Sequence, residues 1–385
     1  MQQMPACFAE PSTKLQLEAI ELLEIEMPLK SAFETSFGRF SKRRVVIVRA
    51  IDKSGAAGYG ECTAMEQPLY NHESVDSAWP VITGSIVPIL SDANISCAED
   101  VGRALAPIRG NRMAIAAVET AVWDLESRIA GKPLWSHLGG TIEEIECGVS
   151  IGIQSSPEVL VERVATEIAA GYRRIKIKIK PGKDIRLVEA VRREFPDILL
   201  SVDANSAYEL EASNGLWREL DQFGLLMIEQ PLAAGDLLDH AKLQLMIDTP
   251  ICLDESITSV RDARQAIELE ACRIINIKLG RVGGHAAARE IQYLAAEKNI
   301  PVWCGGMLET GIGRAQNIAM STLPGFTLPG DVSASERYWA EDIVDPPIIV
   351  SPAGTIRVPD SAGIGFAVRN DVLKARSART ETVLL

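Results

Sequence analysis

The chain has 385 residues, 47% hydrophobic and 24% charged, with 39 basic against 52 acidic side chains and a formal net charge of −13. That balance is ordinary for a globular protein with a sizeable core, and it excludes the basic footprint needed for nucleic acid as the main partner. Seven cysteines without a CxxC pair and four histidines without ligand spacing leave neither a zinc knuckle nor a disulfide framework, and no apolar stretch approaches a membrane span.

Residues 1–14 read as a loose leader, lacking the basic start and apolar run of a signal peptide. A cytoplasmic protein with buried, reduced cysteines follows. Residues 15–140 form a mixed α+β part. LEAIELLEIEMPL, RRVVIVRAID and GYGEC read as its strands, and KSAFETSFGRFSKR between the first two reads as a loop carrying Phe33, Phe37 and Phe40. Residues 97–138 read as helical, with AIAAVETAVWDLESRIAG ending at Gly131 and Pro133 and with Trp123 and Trp135 in the core.

Over residues 145–340 short apolar runs alternate with amphipathic helical stretches. The runs are CGVSIG (147–152), RIKIKIK (174–180), ILLSVDAN (198–205), LLMIEQP (225–231), PICLDES (250–256), IINIKLG (274–280), IPVWCGGM (300–307) and GFTLPGD (325–331). Such alternation implies parallel strands joined by crossover helices. Lys178, Asp203, Glu229, Asp254 and Lys278 lie near the C-terminal ends of successive runs, 25, 26, 25 and 24 residues apart. One βα unit of a barrel of roughly 250 residues has this length, and side chains at its C-terminal strand ends converge on one mouth. In residues 341–385, DPPIIV and GTIRV are strand-like, and ARSARTETVLL reads as a frayed end.

Three carboxylates converging on one point repel unless a cation sits between them. Asp203, Glu229 and Asp254 are therefore candidate ligands for a hard divalent ion, Mg²⁺ or alternatively Mn²⁺. The lysines come from strands on either side of the carboxylates. A lysine near a metal and another cation is lowered in pKa and suited to act as a base, while a metal-bound carboxylate makes its α-proton easier to remove through an Mg-stabilised enediolate. Glu255 and Asn205, adjacent to the ligands but out of strand phase, would orient them. Lys176 shares the strand face of Lys178 and could bind a substrate carboxylate; Lys180 reads as a solvated loop residue.

At these residues the chain resembles the enolase superfamily, muconate-lactonising subgroup. The matching motifs are Lys176-x-Lys178, Asp203 with Asn205, Glu229-Gln230-Pro231, Asp254-Glu255 and Lys278. NIKLGRVGG (276–284), CGGMLETGIGRA (304–315) and TLPGDVSAS (327–335) resemble the o-succinylbenzoate synthase and N-succinylamino acid racemase family. The resemblance covers nearly the whole chain. It implies an α/β fold, a (β/α)₇β modified TIM barrel whose α+β capping domain is formed by residues 15–140 and completed by 341–385.

It also implies Lys178 and Lys278 as the acid/base pair around the metal. A synthase would remove a proton and then water, in menaquinone biosynthesis; a racemase would exchange protons on both faces of Cα. Arg281 matches a position associated with racemase-capable members. Ser150, Asn276, Phe33 and Phe37 join Lys176, Asn205, Glu255 and Arg281 as substrate-binding or supporting residues, with the aromatic loop closing over the mouth. A small-molecule carboxylate substrate and a homo-oligomer are expected. Dipeptide epimerisation or muconate cycloisomerisation are the alternatives, the former disfavoured because Asp331 is the one acid in PGDVSAS.

Overall fold

The computed structural model describes residues 14–385, so the expected leader lies outside the described residues except for Lys14. An antiparallel sheet is built from β1 (Leu17–Glu34), β2 (Arg39–Asp52) and β3 (Ala57–Cys62), with a C-terminal strand, Ser377–Leu384, on the outer side of β1. The helix Arg112–Ile129 lies against β2 and β3 and is buried along most of its length. GYG in β3 permits this contact. A Cβ on Gly58 would come within 2.2 Å of the Leu125 backbone nitrogen, and one on Gly60 within 2.1 Å of the Ala117 carbonyl oxygen. Only glycine lets the helix backbone approach the strand this closely.

Two expectations for this sheet are corrected. The aromatic segment is mostly hairpin rather than loop. Pairing breaks after Pro28, which has no N–H to donate, and resumes at Phe33 opposite Phe40 and Glu34 opposite Arg39, leaving residues 35–38 as the turn. The C-terminal residues are not frayed. Residues 380–384 alternate between exposed and half-buried, as a strand lying over a sheet should, and the strand pairs with β1 from Ala19 opposite Leu384 to Glu24 opposite Arg379. Trp79 fastens it, donating Nε1–H to Glu381 at 2.6 Å and lying 4.0 Å beneath the Arg379 guanidinium.

The second sheet follows the short β4 (Glu144–Glu146), which pairs with Thr355–Arg357 from GTIRV. Of DPPIIV only Asp345 is strand, paired with Val344 against Ala367–Val368. Seven parallel strands then lie side by side in chain order: β5 (Gly148–Ile151), β6 (Arg174–Lys178), β7 (Leu199–Asp203), β8 (Met227–Glu229), β9 (Ile251–Leu253), β10 (Ile274–Ile277) and β11 (Val302–Cys304). The expected eighth run joins the two edges through isolated bridges, Val302 to Phe326 and Cys147 to Gly330. Crossover helices begin at side-chain caps, including Ser156, Asp236 and Ser259.

Two buried acids tie the antiparallel layer to the barrel. Glu61 of β3 accepts from the Thr310 hydroxyl at 2.6 Å and from the Gly313 N–H at 3.0 Å, at the start of helix Gly311–Ser321. Glu119 accepts from the His285 N–H at 2.8 Å and the Ala286 N–H at 2.9 Å, at the start of helix His285–Glu297. Both satisfy N–H groups that a helix start leaves without internal partners. Cys62, Cys147, Cys252, Cys272 and Cys304 are buried thiols, as expected, whereas Cys97 is only half-buried. Trp123 is in the core, whereas Trp135 is half-buried and donates to the Pro359 carbonyl at 2.9 Å. Among the described residues no helix is long and apolar enough to cross a membrane.

Candidate active site

The strand ends deliver the five periodic residues to one place. Lys178, Asp203 and Glu229 close β6, β7 and β8 and stand opposite one another in register, while Asp254 and Lys278 follow β9 and β10 by one residue. All five are buried. One carboxylate oxygen from each of Asp203, Glu229 and Asp254 lies within 4.8 Å of the others. Oxygens around one octahedral Mg²⁺ stand about 3–4 Å apart, given Mg–O distances of about 2.0–2.1 Å, so this set is a small inward movement away from the spacing such an ion needs.

The lysines flank that cluster. Lys178 Nζ donates to Asp203 Oδ2 at 2.5 Å and to Asn205 Oδ1 at 2.9 Å. Lys278 Nζ donates to Asp254 Oδ2 at 2.8 Å and to the Tyr70 hydroxyl at 3.3 Å. Burial acts to lower the Lys278 pKa, but Tyr70, Glu255, Glu229 and Asp203 outweigh it and hold the ammonium above its ordinary value. The protein's own groups thus push opposite to the lowering expected from a neighbouring cation. Asp203 is similarly settled: burial disfavours its charge, and Lys178 and Lys176 more than compensate, depressing it below the usual carboxylate range.

Supporting residues fall into two groups. Asn276 donates to Glu229 Oε1 at 2.7 Å, and Asn205 bridges Lys178 to Glu255, donating to Glu255 Oε1 at 2.9 Å. Arg281 is buried behind the site: Nε donates to the Ile257 carbonyl at 2.7 Å, and a terminal nitrogen donates to Asp254 Oδ1. It is therefore no exposed loop arginine, and it does not line the cavity. Lys176 differs from the expectation of a group free to bind substrate carboxylate. Its Nζ is 2.7 Å from Glu229 Oε2, 2.7 Å from Asp331 Oδ2 and 3.3 Å from Asp203 Oδ2, and lies 4.7 Å over the Trp303 ring. Its charge is already committed. Lys180, expected in solvent, is partly buried, 3.3 Å from Glu34 near the hairpin turn.

A cavity opens above the lysines. Phe33, Phe37, Phe40 and Tyr338 supply aromatic surface, and Ser150 faces it with a buried hydroxyl that has no protein partner. Several lining groups escaped the periodicity argument. Tyr70, whose hydroxyl donates to Asp254 Oδ1 at 3.0 Å, comes from a loop with no repeat to locate it. Glu309 lies within the recognised CGGMLETGIGRA motif, the one signal that could have singled it out. Lys176, 2.7 Å away, and Arg174, 2.6 Å away, hold Asp331 far below an ordinary carboxylate despite its burial.

Two family models match this chain: Mandelate racemase / muconate lactonizing enzyme, N-terminal domain, over residues 19–139, and Enolase C-terminal domain-like, over residues 159–372. The chain belongs to this branch of the enolase superfamily. The resemblance read from its motifs and the barrel expected from its strand period are both borne out. Enzymes of this superfamily use a divalent metal, and Asp203, Glu229 and Asp254 form a buried triad able to bind one.

Among relatives, an o-succinylbenzoate synthase of Geobacillus stearothermophilus is 50% identical over 354 residues, covering 92% of this chain and 94% of the relative. An N-succinylamino acid racemase of Thermus thermophilus is 47% identical, covering 92% and 95%. A solved structure of an enolase-superfamily member from Listeria innocua superposes with a TM-score of 0.93 at 44% identity, covering 96% of this chain and 99% of that one.

Proposed function

We propose that this protein removes the α-proton of a small-molecule carboxylate substrate, as an o-succinylbenzoate synthase, an N-succinylamino acid racemase acting on N-acylamino acids, or both. The observation carrying this reading is that Lys178 and Lys278 line one cavity, the first bonded to Asp203 and the second to Asp254 of the three-carboxylate cluster. Asp203, Glu229 and Asp254 would hold Mg²⁺, with Mn²⁺ able to replace it. A cation there supplies the positive charge that stabilises an enediolate.

The remaining steps belong to the chain. Neutral Lys178 takes the α-proton at Nζ. In the synthase, the Lys178 ammonium so formed passes its proton to the hydroxyl group, which leaves from the same face as water and returns Lys178 to the free amine, while the Lys278 ammonium stabilises the opposite side. In the racemase, the ammonium of one lysine returns a proton to the face opposite the one deprotonated. Phe33 and Phe37 keep water from the carbanionic carbon and pack the substrate's apolar part. Ser150 offers a hydroxyl to the acyl group, while Asn205, Glu255, Asn276, Lys176 and Arg281 orient the lysines and carboxylates.

The reading extends to a cytoplasmic homo-oligomer serving menaquinone biosynthesis, and to the division at 15–140, 145–340 and 341–385. Dipeptide epimerisation is the weaker alternative. Asp331 is engaged by Arg174 at 2.6 Å and Lys176 at 2.7 Å, leaving it poorly placed to receive a substrate ammonium. Muconate cycloisomerisation would use the same lysines and is separated by substrate.

Chelation with EDTA should abolish turnover and added Mg²⁺ should restore it; undiminished turnover in EDTA removes the metal role. Proton NMR in D₂O with both enantiomers of an N-succinyl amino acid, beside a synthase assay, tests the chemistry. Cα exchange on both enantiomers supports racemisation. Synthase turnover without exchange supports a dedicated synthase, and neither reaction rejects the proposal.

A further inference from the structure

Gln230 follows Glu229 directly, is fully buried, and has φ of +38°, in the left-handed region that costs a non-glycine residue energy. Its contacts reach the backbone beyond both other acids of the cluster. Its carbonyl accepts from the Ser206 N–H at 2.9 Å, three residues past Asp203. Its Oε1 accepts from the Asp254 N–H at 2.9 Å and from the Ser256 N–H at 3.1 Å. Gln230 therefore links the segments after β7, β8 and β9.

The amide is itself held in one orientation. Nε2 donates to the Ser256 hydroxyl at 2.8 Å and to the Leu232 carbonyl at 3.1 Å. The Leu232 N–H in turn donates to His240 Nε2 at 3.3 Å, which requires that nitrogen to be bare. The other ring nitrogen, Nδ1, therefore carries the hydrogen and donates to the Asp236 carbonyl at 2.6 Å. Burial pushes the His240 pKa down, consistent with this neutral ring.

We propose that Gln230 is a positioning residue for the metal centre, holding the backbone of Asp254 and Ser206 against Glu229 so that the three carboxylates converge, with His240 fixing the Leu232 turn on which the Gln230 amide rests. This rests on the reading of Asp203, Glu229 and Asp254 as metal ligands. Groups that orient metal ligands typically change affinity by about 10–100-fold when removed.

Gln244 provides an internal comparison. It is another buried glutamine, on the helix Leu237–Met246, and it holds the opposite end of β9. Its Oε1 accepts from the Ile251 N–H at 2.8 Å, and Nε2 donates to the Thr249 carbonyl at 3.3 Å, with no contact to the cluster. Gln230→Met and Gln244→Met both delete buried amide contacts, but only the first should loosen the metal.

The test is titration of the purified full chain with Mn²⁺, following the EPR signal of free Mn²⁺, with circular dichroism confirming that each variant is folded. Gln230→Met should weaken Mn²⁺ binding by about 10–100-fold, and Gln244→Met should stay within about twofold of the parent. Where Gln230→Met does not fold, Gln230→Asn serves, its amide stopping one carbon short of Asp254 and with the same loss expected. Parental affinity in the folded Gln230 variant, or an equal loss in Gln244→Met, overturns the proposal. Failure of the parent to bind Mn²⁺, or parental affinity in Asp254→Asn, instead overturns the ligand assignment beneath it.

Discussion

Replacing Lys178 by Ala should lower turnover by about 10²–10⁴-fold, the contribution typical of a positioned acid or base, while leaving the protein folded. Lys278→Ala should do the same. Folding should survive because neither change leaves a buried carboxylate without a cation, the situation that makes breaking a buried pair so costly. Asp203 keeps Lys176 at 3.3 Å and a hydrogen bond from the Asn205 N–H at 3.0 Å. Asp254 keeps Arg281 and the Tyr70 hydroxyl. Steady-state assays with thermal melts separate lost chemistry from lost structure.

Each variant should also be one-sided if the racemase chemistry operates. In the proposed arrangement one lysine faces each side of Cα, so each single variant should still exchange the α-proton of one enantiomer in D₂O, and the two variants should retain opposite enantiomers. Full turnover in either variant removes that lysine from the mechanism. Exchange of both enantiomers by a single-lysine variant refutes the two-face arrangement.

The strand-end residues were legible because their signal is local and repeated. A βα unit has a characteristic length, and alternation within a strand fixes which side chains share a face, so Lys178, Asp203, Glu229, Asp254 and Lys278 could be brought together before any contact was known. What those residues touch was less legible. Lys176 was correctly placed on the face of Lys178, but its partner Asp331 lies beyond β11, in the segment that joins the barrel edges. Tyr70 comes from a loop without periodicity. The last strand was misread because its partner is β1, more than 350 residues earlier, and an exposed alternating tail shows no apolar face to announce it. Glu61 and Glu119 carry no spacing signal of their own, since the helix starts they bind lie far along the chain.

Those two acids carry the largest stability effect expected outside the active site. Glu119 has no solvent exposure and accepts from the His285 and Ala286 N–H groups at 2.8 and 2.9 Å and from Trp123 Nε1–H at 2.8 Å. Glu119→Ala strands three donors, two of them buried, and should cost about 3–5 kcal/mol, read as a lower urea midpoint with unchanged slope. Burial, working against those donors, raises Glu119 from an ordinary 4.5 to about 7, and Glu61 likewise to about 7.

A carboxyl raised on folding holds its proton in the native protein at pH values where the unfolded chain has released it. Its contribution is therefore complete below about 4.5 and is lost as pH rises through about 7, on the order of 3 kcal/mol per group. Glu119→Gln keeps an acceptor oxygen in nearly the same shape and cannot ionise. Urea unfolding of the parent and Glu119→Gln at pH 5 and pH 8 should show the variant gaining relative to the parent at the higher pH. A stability difference that stays flat across that interval would mean that the helix N–H groups, rather than burial, set the charge of Glu119.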